Sequence, residues 1–271
     1  MQFRQQALSK LQSADEIDLP VRFARPQGRL VLCVTVIVMI AASLWAVTGT
    51  VATTLDAPGI LTHGQGSYVL QSPVAGQVTD VLAEEGARVA ADVPLLRVRT
   101  PQGTSVAVRS LAAGRLTALA TGIGSVVTVG SDVAAVERVA RPDDPLMAVV
   151  YVPADSGSAV PVGAAVDLTV QSVAPGQYGV LRGRVTSVGR TAQSAQQIAA
   201  FLGSARLGER LAEHGQGLAV PVRIRLVDAP GTASGHAWSS AEGPPFRLSS
   251  MTPADGAVHL AEQHPIDWLL P

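Results

Sequence analysis

The sequence predicts a mainly β protein carried behind one N-terminal transmembrane helix. Three observations predict it: an uncharged apolar run near the start, a segment that recurs at a fixed offset, and a change to Val, Thr, Gly and Pro after about residue 50. The 271 residues leave room for a span and one or two small domains. Apolar residues make up 47% and charged residues 15%, with a mean hydropathy of +0.30, high for a wholly soluble chain. A net charge of −1 gives no basic face for nucleic acid. The single cysteine, Cys33, falls inside the apolar run, so no intramolecular disulfide can form.

Residues 1–29 form a cytoplasmic N-terminal segment in this reading. Phe3, Ala7, Leu8 and Leu11 share one helical face, and Ser13-Ala14-Asp15-Glu16 offers a capping box. That face suits either a short interfacial helix or a helix that docks on a membrane partner. The run Leu30–Val47 is uncharged and long enough to cross a bilayer, which takes ~20 apolar residues. We place the span at 30–51, with Leu30, Val36 and Ile40 along it and Trp45 at its outer interface. Arg4, Lys10, Arg22, Arg25 and Arg29 precede the run, and no Lys or Arg follows until Arg88. The positive-inside rule then puts the N-terminus in the cytoplasm and the bulk outside. A cleaved signal peptide fits less well: the 29-residue leader is long, and no clear A-x-A site follows.

Residues 52–67 read as a linker or barrel strand. From 68 to 140 the chain repeats itself: Ser72-Pro73-Val74-Ala75-Gly76-Gln77-Val78 returns as Ser110-Leu111-Ala112-Ala113-Gly114-Arg115-Leu116, 38 residues on (114 − 76). Val81 and Leu119, Gly86 and Gly124, and Val89 and Val127 keep the offset. Each half reads as two short strands around a glycine turn, with Gly76, Gly86, Gly114 and Gly124 as the turn positions. Two copies of one such unit bury a face that neither buries alone. Arg99–Thr104 joins the halves, its Pro101-Gln102-Gly103 a tight turn.

Residues 141–271 read as a β-barrel domain with one inserted helix. Strands are expected at Leu146–Val152, Val160–Val170, Gly179–Val188 and Leu218–Val227, the last with Val220, Val222, Ile224 and Leu226 inward and Arg223 and Arg225 outward. The helix spans about 193–213, with Ile198, Leu202 and Ala205 near one face. Two or three short strands follow between Phe246 and Leu270. No catalytic constellation is visible. The five histidines His63, His214, His236, His259 and His264 form no H-x-x-x-H pair, and G-x-S-x-G, Walker A and G-x-G-x-x-G are missing. Glu84 and Glu85 sit in a turn, where solvated acids are common. The sequence thus predicts a non-enzyme without cofactor or metal.

The duplicated unit resembles the two halves of a biotinyl/lipoyl domain, a flattened barrel with pseudo-twofold symmetry. In the carriers of that family, the hairpin between the halves presents a lysine for biotinylation or lipoylation. Here Arg99–Ser105 has no lysine, and the only lysine, Lys10, precedes the span. A swinging-arm carrier is excluded on chemistry.

Span, lipoyl-like domain and β-barrel follow the order of the HlyD-type membrane fusion proteins, and the chain is most similar to adaptors of NHLM-type bacteriocin export. The resemblance rests on Phe3-Arg4, Ala7-Leu8 and Leu11-Gln12-Ser13, on Ser72–Val78, and on Val150-Tyr151-Val152-Pro153-Ala154. It continues in Tyr178-Gly179, Gly183–Val188, Ser234–Ser240, Gly243-Pro244-Pro245, His264-Pro265-Ile266 and Leu269-Leu270-Pro271. It implies a single-pass protein of the bacterial inner membrane and a peptidase-containing ABC exporter as partner. It further implies a peptide cargo, a homo-oligomer, and docking through Phe3, Ala7, Leu8 and Leu11. In that family a long helical hairpin usually separates the lipoyl halves. At ~1.5 Å per residue the Pro101–Thr104 loop is too short to bridge to an outer-membrane channel. Other classes consistent with the residues are a membrane-anchored extracytoplasmic binding or sensor module and an anchored hydrolase using His236 or His259.

Overall fold

A computed structural model describes residues 26–48, 53–139, 141, 144–213 and 217–260, with the side chains of 28–46 in the first stretch. The expected docking residues Phe3, Ala7, Leu8 and Leu11 lie outside the described residues, as do 49–51 of the expected span. Helix α1 runs Pro26–Thr48, with Pro26 at its first position, where a missing N–H costs nothing. Its Gly28–Ala46 stretch is long and apolar enough to cross a membrane, with a hydropathy of 2.2 and none of it buried. Leu30, Val36, Ile40 and Trp45 are all exposed on it, as residues facing hydrocarbon must be.

From Thr54 onward the chain forms strands, described here apart from α1. They are β1 (Thr54–His63), β2 (Ser67–Gln71), β3 (Gly76–Val81), β4 (Arg88–Val89), β5 (Pro94–Arg99), β6 (Ser105–Arg109), β7 (Gly114–Leu119), β8 (Val126–Val127) and β9 (Asp132–Arg138). After them come β10 (Leu146–Pro153), β11 (Ala165–Val170), a one-turn helix α2 (Pro175–Tyr178), β12 (Leu181–Val188) and β13 (Gln193–Ser194). Helices α3 (Ala195–Leu202) and α4 (Ala205–Ala212) lead to β14 (Leu218–Leu226) and β15 (Thr252–His259).

The duplication is complete at the level of strands. Each half holds four strands, where periodicity suggested two, because β4 and β8 are only two residues long and too short to show alternation. The sheets run β2-β9-β7-β4 and β6-β5-β3-β8, so each takes strands from both halves, and the 38-residue shift converts one sheet into the other. Between them lies an aliphatic core of Leu70, Val78, Leu95, Leu96, Val98, Leu116, Val127, Val133 and Val136. Neither half has a core of its own. The β5–β6 connection is a tight turn closed by the Thr100 N–H donating to Thr104 O (2.8 Å), with no helical hairpin inserted.

The second module is a closed barrel in the order β10-β1-β15-β11-β12-β14, shut by pairing of β14 with β10 and extended by β13 beside β14. Strand β1 enters the barrel before the duplicated module and β10 resumes it afterwards, so the double sheet is inserted between two neighbouring barrel strands. Val150, Val166, Leu168, Leu181, Val222, Ile224 and Val258 fill the interior. Strand β14 alternates as its sequence predicts, with Arg223 and Arg225 exposed.

The expected single helix over 193–213 is two helices. Ser194 and Gln197 form a capping box that starts α3. Gly203 then takes the left-handed conformation (φ 71°), which stops α3 and lets the chain reverse into α4. The pair covers the outer face of β1 and β10, burying Ile60, Val149 and Tyr151 beneath Ile198, Leu202 and Leu211.

Two strands begin later than expected. β11 starts at Ala165 because the chain turns at Gly163, and β12 starts at Leu181 because Pro175–Tyr178 is helical. Among the described residues the tail holds one strand, β15; residues 261–271 lie outside them. The long β14–β15 connection instead forms a cap that inserts Trp238 into the barrel. Its indole N–H donates to Ser234 Oγ (2.9 Å), and its backbone bridges to Leu181. Trp238→Ala is expected to lose about 3–5 kcal/mol, the usual cost of emptying an aromatic site, read as a lower urea midpoint at unchanged slope.

Candidate functional site

Among the described residues no group of three or more His, Cys, Asp or Glu side chains could hold a metal ion. The buried polar residues Thr62, Ser67 and Glu137 meet at the junction between double sheet and barrel. The β1–β2 connection, the end of β9, the last part of the cap and the end of α3 converge there. Its centre is Glu137, a fully buried carboxylate on β9. Glu137 Oε1 accepts from the backbone N–H of His63 (2.8 Å) and from Thr62 Oγ1 (3.0 Å), and lies 3.1 Å from His63 Nδ1. Burial alone would raise its pKa. Hydrogen bonds from the His63 side chain, Ser250 and the His63 backbone, with the charge His63 carries when protonated, outweigh burial and hold the carboxyl near 2.

Neighbouring contacts finish the joint. The Arg138 N–H donates to Gly66 O, and the Arg138 guanidinium donates to Gln65 O. The Met251 N–H donates to Leu61 O (2.7 Å), and Met251 Sδ lies 4.0 Å from Ser67 Oγ. The Phe201 ring of α3 sits directly against Gly66, where a Cβ would be only 2.7 Å from it. Strand, cap and helix are thus bonded to one short connection, which fixes how the double sheet leaves the barrel.

Sequence reasoning missed Glu137. Its signal was the repeat: Glu137 stands 38 residues after Arg99, so the shift exchanges the β5–β6 turn for the end that joins the barrel. One end of the duplicated module is therefore free and the other is committed.

The four repeat glycines fall into two kinds. Gly86 (φ 84°) and Gly124 (φ 90°) occupy turns, where a positive φ favours glycine. Gly76 and Gly114, expected in turns, instead open β3 and β7. A Cβ on Gly76 would lie 2.1 Å from Arg99 O, and one on Gly114 2.1 Å from Glu137 O. These glycines set the spacing between paired strands. Glu85 is exposed, as expected of a solvated acid, and also accepts from the Leu119 N–H (2.8 Å), which ties the first half to the second.

The remaining described histidines are surface or cap residues. His259 Nε2 lies 3.1 Å from Asp167 Oδ2, beside the Arg182–Asp167 ion pair on the barrel exterior. Burial in the cap holds the His236 pKa below its ordinary value against the opposing pull of Asp228, 3.8 Å away. Ser234 Oγ bonds the backbone of His236, accepting from its N–H (3.4 Å).

No family model and no curated protein matches the sequence. Solved structures align with most of the chain. ZneB from Cupriavidus metallidurans aligns with 78% of this chain and 100% of its own at 12% identity and a TM-score of 0.50. MacA from Actinobacillus actinomycetemcomitans aligns with 80% of this chain and 81% of its own, at 9% and 0.49. The membrane fusion protein Spr0693 from Streptococcus pneumoniae R6 aligns with 76% of this chain and 99% of its own, at 9% and 0.39. At 12% identity the likeness to ZneB is one of fold alone.

Proposed function

We propose that this chain is a membrane-anchored adaptor of the HlyD membrane-fusion type, serving an ABC exporter of a ribosomally made peptide. The observation that carries the reading is the architecture. An apolar helix long enough to span a bilayer precedes a closed barrel, and a duplicated double sheet without a carrier lysine is inserted between adjacent barrel strands. A rigid β-scaffold on a tether organises partners, and the buried Glu137 joint supports that role by fixing the angle between the two modules. The charge asymmetry across α1 supports an N-inside orientation with the barrel outside. The bacteriocin type of exporter, with its peptidase and peptide cargo, rests on the sequence resemblance. Docking through Phe3, Ala7, Leu8 and Leu11 is part of the same proposal.

Pull-down of the tagged full-length chain from detergent extract is expected to recover an ABC ATPase in stoichiometric amount. Deletion of residues 1–29 is expected to reduce that recovery. A chain that stays monomeric and free of transporter, with a small molecule bound, would sink the adaptor reading and favour a binding module.

A further inference from the structure

Helices α3 and α4 cover only part of the barrel wall, and their packing on each other sets where the cover stops. Gly208 of α4 lies against the start of α3, where an added Cβ would be 2.4 Å from Ala195 O and 2.7 Å from the Ala199 Cβ. That contact ties α4 to α3, while Leu211 and Ala212 reach the barrel in one core with Ile60 and Tyr151. Strand β15, the next strand beyond β1, contributes no residue to that core: on its outer side Pro253 is half-buried and Asp255 exposed. A cleft of about 210 Å³ results between α4 and the outer face of β1 and β15. Its floor is Pro58, Ile60 and Pro253, and its apolar wall is Leu207 with Leu211, one turn apart on α4.

Size and chemistry narrow what the cleft can take. Sites for whole small molecules usually enclose about 300–1,000 Å³. This cleft is smaller and suits one aliphatic side chain of a longer ligand. Two prolines stiffen its floor, and neither has an N–H to leave unpaired beneath an apolar group. The rim is charged and unbalanced. Glu213 and Asp255 stand there with Arg210, and Asp56 shares the outward face of β1 with Pro58. Asp167, on the neighbouring β11, is already paired with Arg182. Three exposed carboxylates against one guanidinium attract a cation and repel an anion. We propose that the cleft binds an extended peptide by one aliphatic side chain, with a cationic residue next to it meeting the acidic rim. The site names the chemistry of a cargo segment for the exporter proposed above, and in that respect it rests on the adaptor reading.

The test is photolabelling of the full-length chain in nonionic detergent with the hexapeptide Ser-Gly-Leu-Lys-Gly-Ser, its leucine replaced by photo-leucine. Mass spectrometry of the digested protein is expected to find the label on α4 and β15, around Leu207 and Pro253. Glu213→Gln with Asp255→Asn removes two exposed charges and no core contact, so the thermal midpoint is expected to hold while labelling falls about tenfold. Excess unlabelled hexapeptide is expected to compete, and the same peptide with serine for leucine is not. Competition by both would show ion pairing at the surface without use of the cleft, and would overturn the proposal. So would label scattered over the surface, labelling indifferent to the double substitution, or equal labelling by a peptide with glutamate for lysine. Transporter recovery from the same extract separates the two readings. Label in the cleft without transporter leaves the peptide site standing and defeats the exporter assignment; transporter without label in the cleft defeats only the site.

Discussion

Alanine at Gly114 is expected to unfold the double sheet, lowering the thermal midpoint of the full-length chain by at least about 6 °C. The cause is distance. A Cβ at this position would lie 2.1 Å from Glu137 O and 2.9 Å from a Val136 methyl, and the first is the far closer contact. Backbone oxygen cannot swing aside as a side chain can, so β7 must move away from β9. That movement weakens the ladder pairing Gly114 with Arg138, Arg115 with Glu137 and Leu116 with Val136. Each lost hydrogen bond is worth about 1 kcal/mol, and forced overpacking adds about 1–3, for a total above about 3 kcal/mol. Gly76→Ala meets Arg99 O at the same 2.1 Å and serves as the symmetric copy of the experiment. The two substitutions should fall together, with Gly114→Ala the worse because Glu137 also anchors the barrel. Circular dichroism of both variants checks this; a shift below about 2 °C for either would show that the sheet yields, and the strand-spacing role would be wrong.

Much of this fold was legible because its signals are local or periodic. Alternation over Val220, Val222, Ile224 and Leu226 marks β14, and an uncharged run marks α1, since burial on one face or in lipid acts residue by residue. The repeat announced two related units but not their interleaving, because strand order depends on non-local pairing that periodicity does not encode. Gly203 shows a different limit. The periodicity of 193–213 runs through it, and its left-handed conformation, followed by the extended Ser204, divides α3 from α4. Glu137 was illegible for a third reason: a buried carboxylate is recognised by its donors, and Thr62, His63 and Ser250 come from distant parts of the chain. The cap was visible as a motif, Ser234 to Ser240, without its meaning. That meaning is Trp238 in the barrel mouth, with Ser234 placed to accept its indole N–H.

Glu137→Gln is expected to destabilise the protein at neutral pH by on the order of 3 kcal/mol and to lose that effect in acid. Gln preserves shape and one acceptor, so what is removed is charge. The ordinary pKa of 4.5 describes the unfolded chain, and the folded joint holds the group at about 2. A depressed folded pKa means that the unfolded state takes up the proton first. The contribution of Glu137 is therefore complete above about pH 4.5, declines as pH falls from there, and is gone near pH 2. The groups around the carboxylate are His63 and Thr62 on β1, Ser250 from the cap, and its register neighbours Ser67 on β2 and Arg115 on β7. Other carboxylates titrate over the same range, so the informative quantity is the difference between wild type and variant in urea unfolding, measured across pH. Loss of the charge also leaves the His63 N–H and Thr62 hydroxyl on a weaker acceptor, which loosens the connection between the modules. Trypsin cleavage after Arg138 reads that loosening directly and is expected to speed up in the variant at pH 7 while wild type resists. Equal stability and equal cleavage at pH 7 would mean that the two modules are joined without help from the Glu137 charge, through the Arg138 and Met251 hydrogen bonds and the packing of Phe201 on Gly66.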